Sequence, residues 1–557
     1  MLKTPRNYCA LALLSTHALC GAWACGSDAS SSEPSAGSSP DASITSATTR
    51  DGSTAAQGAS DAGRLRDAAT GGSTAASPTS ATDAGSRTSD AATGTGDMGT
   101  TSSSTPSDYT FCNYGNVPSG TPPPAWSASP ALTPTGENPY GKPATTVPLG
   151  YILFNAGSNV PASVPTSLQM STLQRINDDL KYITEYTYVH LPPWTAAPES
   201  HYIDWIMAAT GLPKDPGSAG DSAWEGKYPD VETTAIAVTD EGQRYDLTHE
   251  FFHVLQNSYG TVPGEQVSWV QESFNDYLIM RLAEHELGGT PGQATQAKLP
   301  SNVGYLDQLT YTQPYAPIES CGINKSGEVT GPQDYFNDST GFRYNDLFPL
   351  FVEQRVGLHF FAAVWEQATP KEQILQTMTR LLDKPRVQCM VQEYAARLAL
   401  GDFVELSSEI QNRADAKMYA ATKTDSGWLV PSDATKLPRY TGRNTIPLTV
   451  TSGATEVSVQ FMPDAKGSKQ TPADMRAQLV YRAQDGSAVF STPVPTGETK
   501  VTLTKPPKNG VVLVVISNVT LDGYKTAQSY GWDPTETFGY KLQVTGGTAA
   551  PTNKKYF

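Results

Sequence analysis

The chain has 557 residues and a formal net charge of −16 at neutral pH. Nucleic acids and anionic membrane faces bind proteins through basic patches, so this acidic balance argues against both as partners. The length would suffice for three or four domains if the whole chain folded.

The first 25 residues have the features of an export signal. Lys3 and Arg6 precede the apolar run CALALLSTHALCGAWA, which is too short for a membrane-spanning helix. The run ends at Cys25, and a serine-rich stretch follows. This resembles a bacterial lipoprotein leader and implies lipidation of Cys25; cleavage after Ala22-Trp23-Ala24 is the alternative. Both interpretations predict an exported protein, either an outer-membrane or cell-surface lipoprotein that meets the membrane only through its lipid, or a secreted one.

Residues 26–107 are predicted to be a disordered tether. Between residues 27 and 107 the large apolar residues are Ile44, Leu65 and Met98, and the stretch contains no aromatic residue. Such a composition buries too little apolar surface to offset the conformational entropy of ordering. The folded part of the protein is therefore expected to begin near residue 108.

Three cysteines lie beyond the tether, at Cys112, Cys321 and Cys389. In the oxidising compartment that the leader predicts, two of them can pair and one is left over. We expect a bridge between Cys321 and Cys389, although the sequence alone leaves the pairing open.

Residues 108–436 are expected to form one α+β domain in which helices predominate. The apolar run that begins at Tyr151 predicts a strand, and alternation over Thr233–Thr239 predicts another. Helical periodicity predicts helices over 167–185, from an Asp246 cap to about residue 258, over 267–286, and several more over 344–400.

Residues 437–557 have a different pattern, with short β-branched runs separated by turn residues. Such runs occur at Ile446–Val450, Val457–Phe461, Ala477–Tyr481, Lys500–Thr504 and Gly510–Ile516. Regular spacing of this kind is typical of an all-β sandwich.

The sequence HEFFH at residues 249–253 is the strongest chemical signal in the chain. His249 and His253 are four residues apart, so on a helix both imidazoles lie on one face and can bind one zinc ion. Glu250 lies next to that face and is the candidate base for the attacking water. The alternative is a buried amphipathic helix with two incidental histidines.

A third ligand is expected from the next helix. Tyr259 occupies the position where a metzincin has its third ligand, which excludes that arrangement. Glu272, separated from His253 by eighteen residues, is the candidate third ligand. Asp276 lies one turn further on the same face and can accept the free N–H of a zinc-bound histidine. The remaining histidines beyond the leader, at positions 190, 201, 285 and 359, have no metal-type spacing and are expected to be structural.

These motifs resemble the gluzincin metallopeptidases, over residues 230–370. The aminopeptidase branch has HExxH, eighteen residues and then Glu in a Trp-x-x-Glu-Gly-Phe-Ala-x-Tyr context, and this chain has Trp269-Val-Gln-Glu272-Ser-Phe-Asn-Asp276-Tyr277. Ser273 and Asn275 replace the family's Gly and Ala. The chain also resembles an uncharacterised group of bacterial secreted HExxH proteins with a C-terminal β-domain.

The resemblance implies a zincin-like fold with a zinc cofactor and a peptide or protein substrate. It further implies that the strand at Thr233–Thr239 is a sheet edge that pairs with substrate, and that a tyrosine donates to the oxyanion. Tyr344 is our candidate for that donor, with Tyr335 and Tyr277 in reserve.

The sequence thus predicts an α+β zincin-like metallopeptidase domain followed by a C-terminal β-sandwich. The expected function is an exported zinc-dependent peptidase. The alternative is a non-catalytic surface binding or adhesion lipoprotein on a degenerate zincin scaffold. Stoichiometric zinc without peptide hydrolysis would favour the alternative.

Overall fold

The computed structural model describes residues 111–123, 146–149, 152–156, 166–190, 203–207, 220–223, 230–233, 244–257, 259, 268–286, 314–319, 347–369, 372–403, 411, 418–464, 474–497, 499–521, 536–554 and 556. Several predictions fall outside these residues, namely the leader with Cys25, the tether, His201, residues 234–239, Cys321, Tyr335 and Tyr344. The described part is an α+β arrangement of helices and sheets, as the sequence predicts.

The first five described strands form a mixed sheet. Its strands are β1 (Thr146–Leu149), β2 (Ile152–Ala156), β3 (Ile203–Met207), β4 (Gly220–Ala223) and β5 (Asp230–Thr233), in the order β1-β2-β3-β5-β4. β2, β3 and β5 run parallel, while β1 and β4 are antiparallel to their neighbours. β2 confirms the strand predicted after Tyr151.

The edge strand predicted at Thr233–Thr239 lies, apart from its first residue, outside the described residues. β5 overlaps the predicted strand only at Thr233, and it pairs with β3 on one side and β4 on the other. Alternation in a sequence reports which faces of a strand are buried and carries no information on its neighbours. Among the described strands, β1 and β4 form the two edges.

Three helices follow the predicted periodicity closely. They are α1 (Thr166–Thr187), α2 (Arg244–Asn257) and α3 (Ser268–Glu286). The predicted Asp246 cap is wrong, because the helix begins two residues earlier. Tyr245 is buried and its hydroxyl donates to Oε2 of Glu286 at 2.7 Å, so a contact with the end of α3 extends α2 beyond the local capping signal.

The described residues after α3 include four further helices, α4 (Leu347–Val356), α5 (His359–Gln367), α6 (Ile374–Leu382) and α7 (Lys384–Leu400). Gly357 separates α4 from α5 with a φ of +93°, a conformation that favours glycine. Pro385 lies in the first turn of α7, where its missing N–H costs no helical hydrogen bond. Asp383 caps α7 by accepting from the main-chain N–H of Arg386 at 3.0 Å.

The C-terminal strands form two antiparallel sheets. They are β6 (Ala421–Lys423), β7 (Leu429–Pro431), β8 (Arg443–Val450), β9 (Glu456–Pro463), β10 (Met475–Arg482), β11 (Ala488–Phe490), β12 (Val494–Pro495), β13 (Lys500–Thr504), β14 (Val511–Asn518), β15 (Tyr540–Thr545) and β16 (Gly547–Ala549). One sheet has the order β11-β10-β14-β8-β16, with β12 also on β10, and the other β13-β9-β15-β7-β6.

Residues from both C-terminal sheets share one hydrophobic core, which includes Ile446, Val459, Leu479, Val514 and Leu542. This layering is consistent with the β-sandwich that the sequence predicts. Each of the five predicted runs lies in a strand, apart from Gly510, which immediately precedes β14. β6 and β7 precede residue 437, so the second sheet takes strands from the N-terminal side of the expected boundary.

Helix α7 belongs to two cores. Val387, Val391 and Tyr394 pack with the other helices, whereas Ala396 and Leu400 pack against β10, β11 and β14. A buried hydrogen bond between two side-chain amides supports the second contact, since Nε2 of Gln392 donates to Oε1 of Gln478 at 3.0 Å. The six-stranded sheet is therefore covered on both faces, which explains why the β14 sequence is an apolar run rather than an alternating one.

The expected Cys321–Cys389 bridge is wrong. The disulfide joins Cys112 to Cys389, 277 residues apart, and Cys321 lies outside the described residues. Residues 111–123, which we call the N-terminal strap, lie across the helices. Tyr114 donates to Oε2 of Glu393 at 2.8 Å, and the N–H of Gly120 donates to the carbonyl of His359 at 2.9 Å. These long-range contacts place Cys112 beside α7, and no local pattern encodes them.

Among the described helices, no single one has the length and apolar composition needed to cross a membrane. α4 and α5 meet that criterion as a pair, but they are bent by 106° relative to each other.

Candidate metal centre

Helices α2 and α3 bring the three predicted ligands together. Nε2 of His249 lies 3.0 Å from Nε2 of His253 and 3.0 Å from Oε2 of Glu272. Nε2 of His253 lies 3.3 Å from the same carboxylate oxygen. The two histidines occupy one face of α2, and Glu272 lies in the second turn of α3, opposite them.

The triangle of donor atoms fits a small dication. Zinc bonds of about 2.0–2.1 Å in tetrahedral geometry place ligand atoms roughly 3.3 Å apart, close to the three observed separations. Two imidazoles and one carboxylate are also a donor set that leaves a fourth position open in catalytic zinc sites. Side-chain exposures of 14% for His249 and 18% for Glu272 show that the group is partly exposed.

The far nitrogen of each imidazole is held by a separate partner. Nδ1 of His249 lies 3.1 Å from Oδ1 of Asp276, as predicted for that carboxylate. Nδ1 of His253 lies 3.1 Å from Oε1 of Gln256. Both acceptors favour the tautomer with the proton on Nδ1, which leaves each Nε2 lone pair directed at the shared space.

The electrostatics of the group favour a cation. Burial alone would lower the pKa of His249, but Asp276 and Glu272 raise it well above its ordinary value. Burial also opposes the charged form of His253, and Glu272 outweighs it, so the pKa of His253 is raised. For Glu272 burial would raise the pKa, yet the two histidines hold it far below its ordinary value. Positive charge between these side chains is thus stabilised, whether it comes from protons or a metal ion.

Glu250 is half-buried on α2, between the two histidines in sequence. Its negative charge contributes to the raised pKa of His253, so the carboxylate lies within electrostatic range of the ligand group. α2 is itself anchored to α1, because the buried hydroxyl of Thr248 donates to Oδ2 of Asp179 at 2.9 Å. The predicted base therefore stands on the same fixed helix as two predicted ligands.

Tyr277, a reserve candidate for the oxyanion donor, is occupied elsewhere. Its buried hydroxyl donates to Glu353 of α4 and accepts from Nε of Arg281 at 3.1 Å. Tyr186 also donates to Glu353, and Arg281 forms ion pairs with Glu353 and, at 2.8 Å, with Glu284. This buried network joins α1, α3 and α4 and gives Tyr277 a structural role.

The other described histidines lie outside the ligand group. His285 stacks on Tyr182 with ring centres 3.9 Å apart, and His359 stacks on Tyr188 at 3.5 Å. The main-chain N–H of His190 donates to the hydroxyl of Tyr259 at 2.9 Å. These contacts are consistent with the structural roles expected from their spacing.

Two residues at the centre were missed by the sequence reasoning, Gln256 and Asn275. Gln256 follows His253 by three residues and so shares its helix face, a spacing that could have identified it. Asn275 donates from Nδ2 to the carbonyl of His249 at 3.1 Å. The one feature of the sequence that could have identified Asn275 is that it stands where the aminopeptidase pattern has alanine.

Comparison with known families finds one match, and the matched residues do not include the candidate metal ligands. Residues 312–550 are similar to a family described as a family of unknown function (DUF6055). The match covers less than half of the chain, from the segment at 314–319 through α4–α7 and both C-terminal sheets. It includes neither the histidines of α2 nor Glu272. A search of curated proteins finds no significant match.

Proposed function

We propose that this protein is an exported zinc-dependent hydrolase that cleaves peptide bonds, built on a zincin-like domain. One observation carries the proposal. Two imidazole nitrogens and a carboxylate oxygen lie within 3.3 Å of one another, while a separate acceptor holds the far nitrogen of each imidazole. Incidental histidines on an amphipathic helix have no reason to acquire both features.

In this proposal His249, His253 and Glu272 hold the zinc ion, and Asp276 and Gln256 orient the two imidazoles. Zinc, when bound, acts as a Lewis acid that polarises the scissile carbonyl and lowers the pKa of water. Glu250 accepts a proton from water as the water oxygen bonds to the carbonyl carbon. It then gives the proton to the leaving amine as the C–N bond breaks.

A peptide substrate is supported by the sheet beside the centre. α2 lies against β4 and β5, and β4 is an edge among the described strands. An extended peptide can add to such an edge through main-chain hydrogen bonds. In this proposal β4 has the substrate-pairing role that the resemblance implies for the strand at Thr233–Thr239, and Tyr344 remains the predicted oxyanion donor.

Export remains part of the proposal. The Cys112–Cys389 disulfide supports it, because such bridges persist in oxidising compartments and are rare in the cytosol. The predicted lipid at Cys25 would then be the protein's one attachment to a membrane.

Glu250→Gln tests the function directly. The substitution keeps the side-chain volume and removes the base, so hydrolysis of a peptide library should fall by about 10²–10⁴-fold. Bound zinc, measured by plasma emission, should stay stoichiometric. Glu456→Gln, on an exposed position of β9, is the matched control and should keep full activity.

Two results would contradict the proposal. A Glu250→Gln variant as active as the parent would show that the base is wrongly assigned. A parent that binds zinc stoichiometrically but cleaves no peptide in the library would favour the binding or adhesion lipoprotein instead.

A further inference from the structure

Two buried side-chain amides join the helices that carry the ligands. Asn275 of α3 donates from Nδ2 to the carbonyl of His249 in α2, at 3.1 Å. Gln256 of α2 donates from Nε2 to the carbonyl of Gln271 in α3, at 3.4 Å. The two bonds cross the helix interface in opposite directions, and both side chains are fully buried.

Each bond ends beside a candidate ligand. In a helix the carbonyl of His249 is placed to accept from the N–H of His253, so Asn275 binds at the turn that joins the two histidines. The carbonyl of Gln271 belongs to the peptide bond that leads into Glu272. Gln256 has a second role, since its Oε1 lies 3.1 Å from Nδ1 of His253.

These contacts matter more for the position of Glu272 than for the positions of the two histidines. The separation of His249 from His253 is fixed by the geometry of one helix, whereas Glu272 approaches them from another. Apolar packing between helices is non-directional, but hydrogen bonds restrict both distance and angle. Neutral amides provide that restriction without adding charge to a ligand set that must bind a cation.

The side-chain amide of Asn275 carries an energetic penalty. Its Oδ1 is buried and has no hydrogen-bond partner in the described part of the chain. An unsatisfied buried acceptor is destabilising, and a small apolar side chain would avoid the penalty. The bond from Nδ2 to the carbonyl of His249 accounts for an amide at this position.

We infer that Gln256 and Asn275 are positioning residues that form a reciprocal amide clasp between α2 and α3. The clasp fixes Glu272 relative to the two histidines and thereby sets the affinity for zinc. This inference rests on the proposed zinc centre.

The test measures the zinc dissociation constant of the metal-stripped full chain, by competition between zinc chloride and a chromophoric chelator. Gln256→Ala and Asn275→Ala should each weaken zinc binding by about 10- to 100-fold. Gln256→Met and Asn275→Leu keep most of the side-chain volume but lack the amide. If circular dichroism shows that an alanine variant does not fold, the corresponding Met or Leu variant is used in its place. Gln392→Ala and Asn444→Ala are controls, because both amides are equally buried but lie in other interfaces.

The outcomes separate the clasp from the proposed function. Weakened zinc binding in both clasp variants, with parental affinity in both controls, supports the clasp. If the parent binds zinc and the clasp variants bind it as tightly, or the controls lose as much, the clasp is overturned while the zinc centre stands. A parent that does not bind zinc overturns both.

Discussion

Removal of the Cys112–Cys389 disulfide should destabilise the protein substantially. The bridge joins two cysteines that are 277 positions apart in the sequence, and the loop that it closes includes α1 to α6. The chain-entropy relation gives about 5.6 kcal/mol for a loop of that size, and loss of a native disulfide typically costs about 2–5 kcal/mol. Denatured chains are more compact than the relation assumes, so the lower range is the expectation for Cys112→Ala/Cys389→Ala.

Equilibrium unfolding in guanidinium chloride, followed by tryptophan fluorescence, measures this difference. The double variant avoids an unpaired thiol at either position. Reduction of the parent protein should reproduce most of the shift, whereas the same reductant should leave the double variant unchanged. A double variant within about 1 kcal/mol of the oxidised parent would refute the loop-closure reasoning.

Two other predictions concern charged side chains in the helical region. Glu353→Gln should lower the free energy of unfolding by about 3–5 kcal/mol, because it leaves the buried guanidinium of Arg281 without one partner. Burial would raise the pKa of Glu353, but Arg281 and two tyrosine hydroxyls lower it. This carboxylate therefore adds stability that is present above its ordinary pKa of 4.5 and lost as the pH falls towards the folded value. Denaturation midpoints between pH 7 and 3 should fall less steeply in the variant, and equal slopes would contradict this assignment. Asp276→Asn should weaken zinc binding by about 10- to 100-fold in a chelator competition, since the acceptor on Nδ1 of His249 loses its charge. Unchanged affinity would show that Asp276 does not orient that ligand.

Much of the fold follows from local pattern. The periodicity of Leu173, Ile176, Leu180 and Ile183 predicts α1 within two residues of its bounds, and all four side chains are buried. The apolar run of β14 likewise predicts a strand. Both patterns are properties of one element and its immediate environment, which a sequence reports directly.

The candidate centre was predictable for a related reason. The i, i+4 spacing of the histidines is a property of a single helix, and Glu272 and Asp276 share a face of the next. The partners that lie between elements were not predictable. The pairing of Cys112 with Cys389 and the bond from Asn275 to His249 depend on how distant segments pack. The packing of distant segments also determines that β5 lies between two other strands and that α2 begins two residues before Asp246.

Helix α7 limits how this chain can be divided for protein engineering. Since one side of the helix completes the helical core and the other covers β10, β11 and β14, a cut between residues 436 and 437 would expose an apolar sheet face. The similarity to the family of unknown function runs without interruption across that junction, from residue 312 to residue 550. A graft of the strands onto another protein must therefore carry α7 with them.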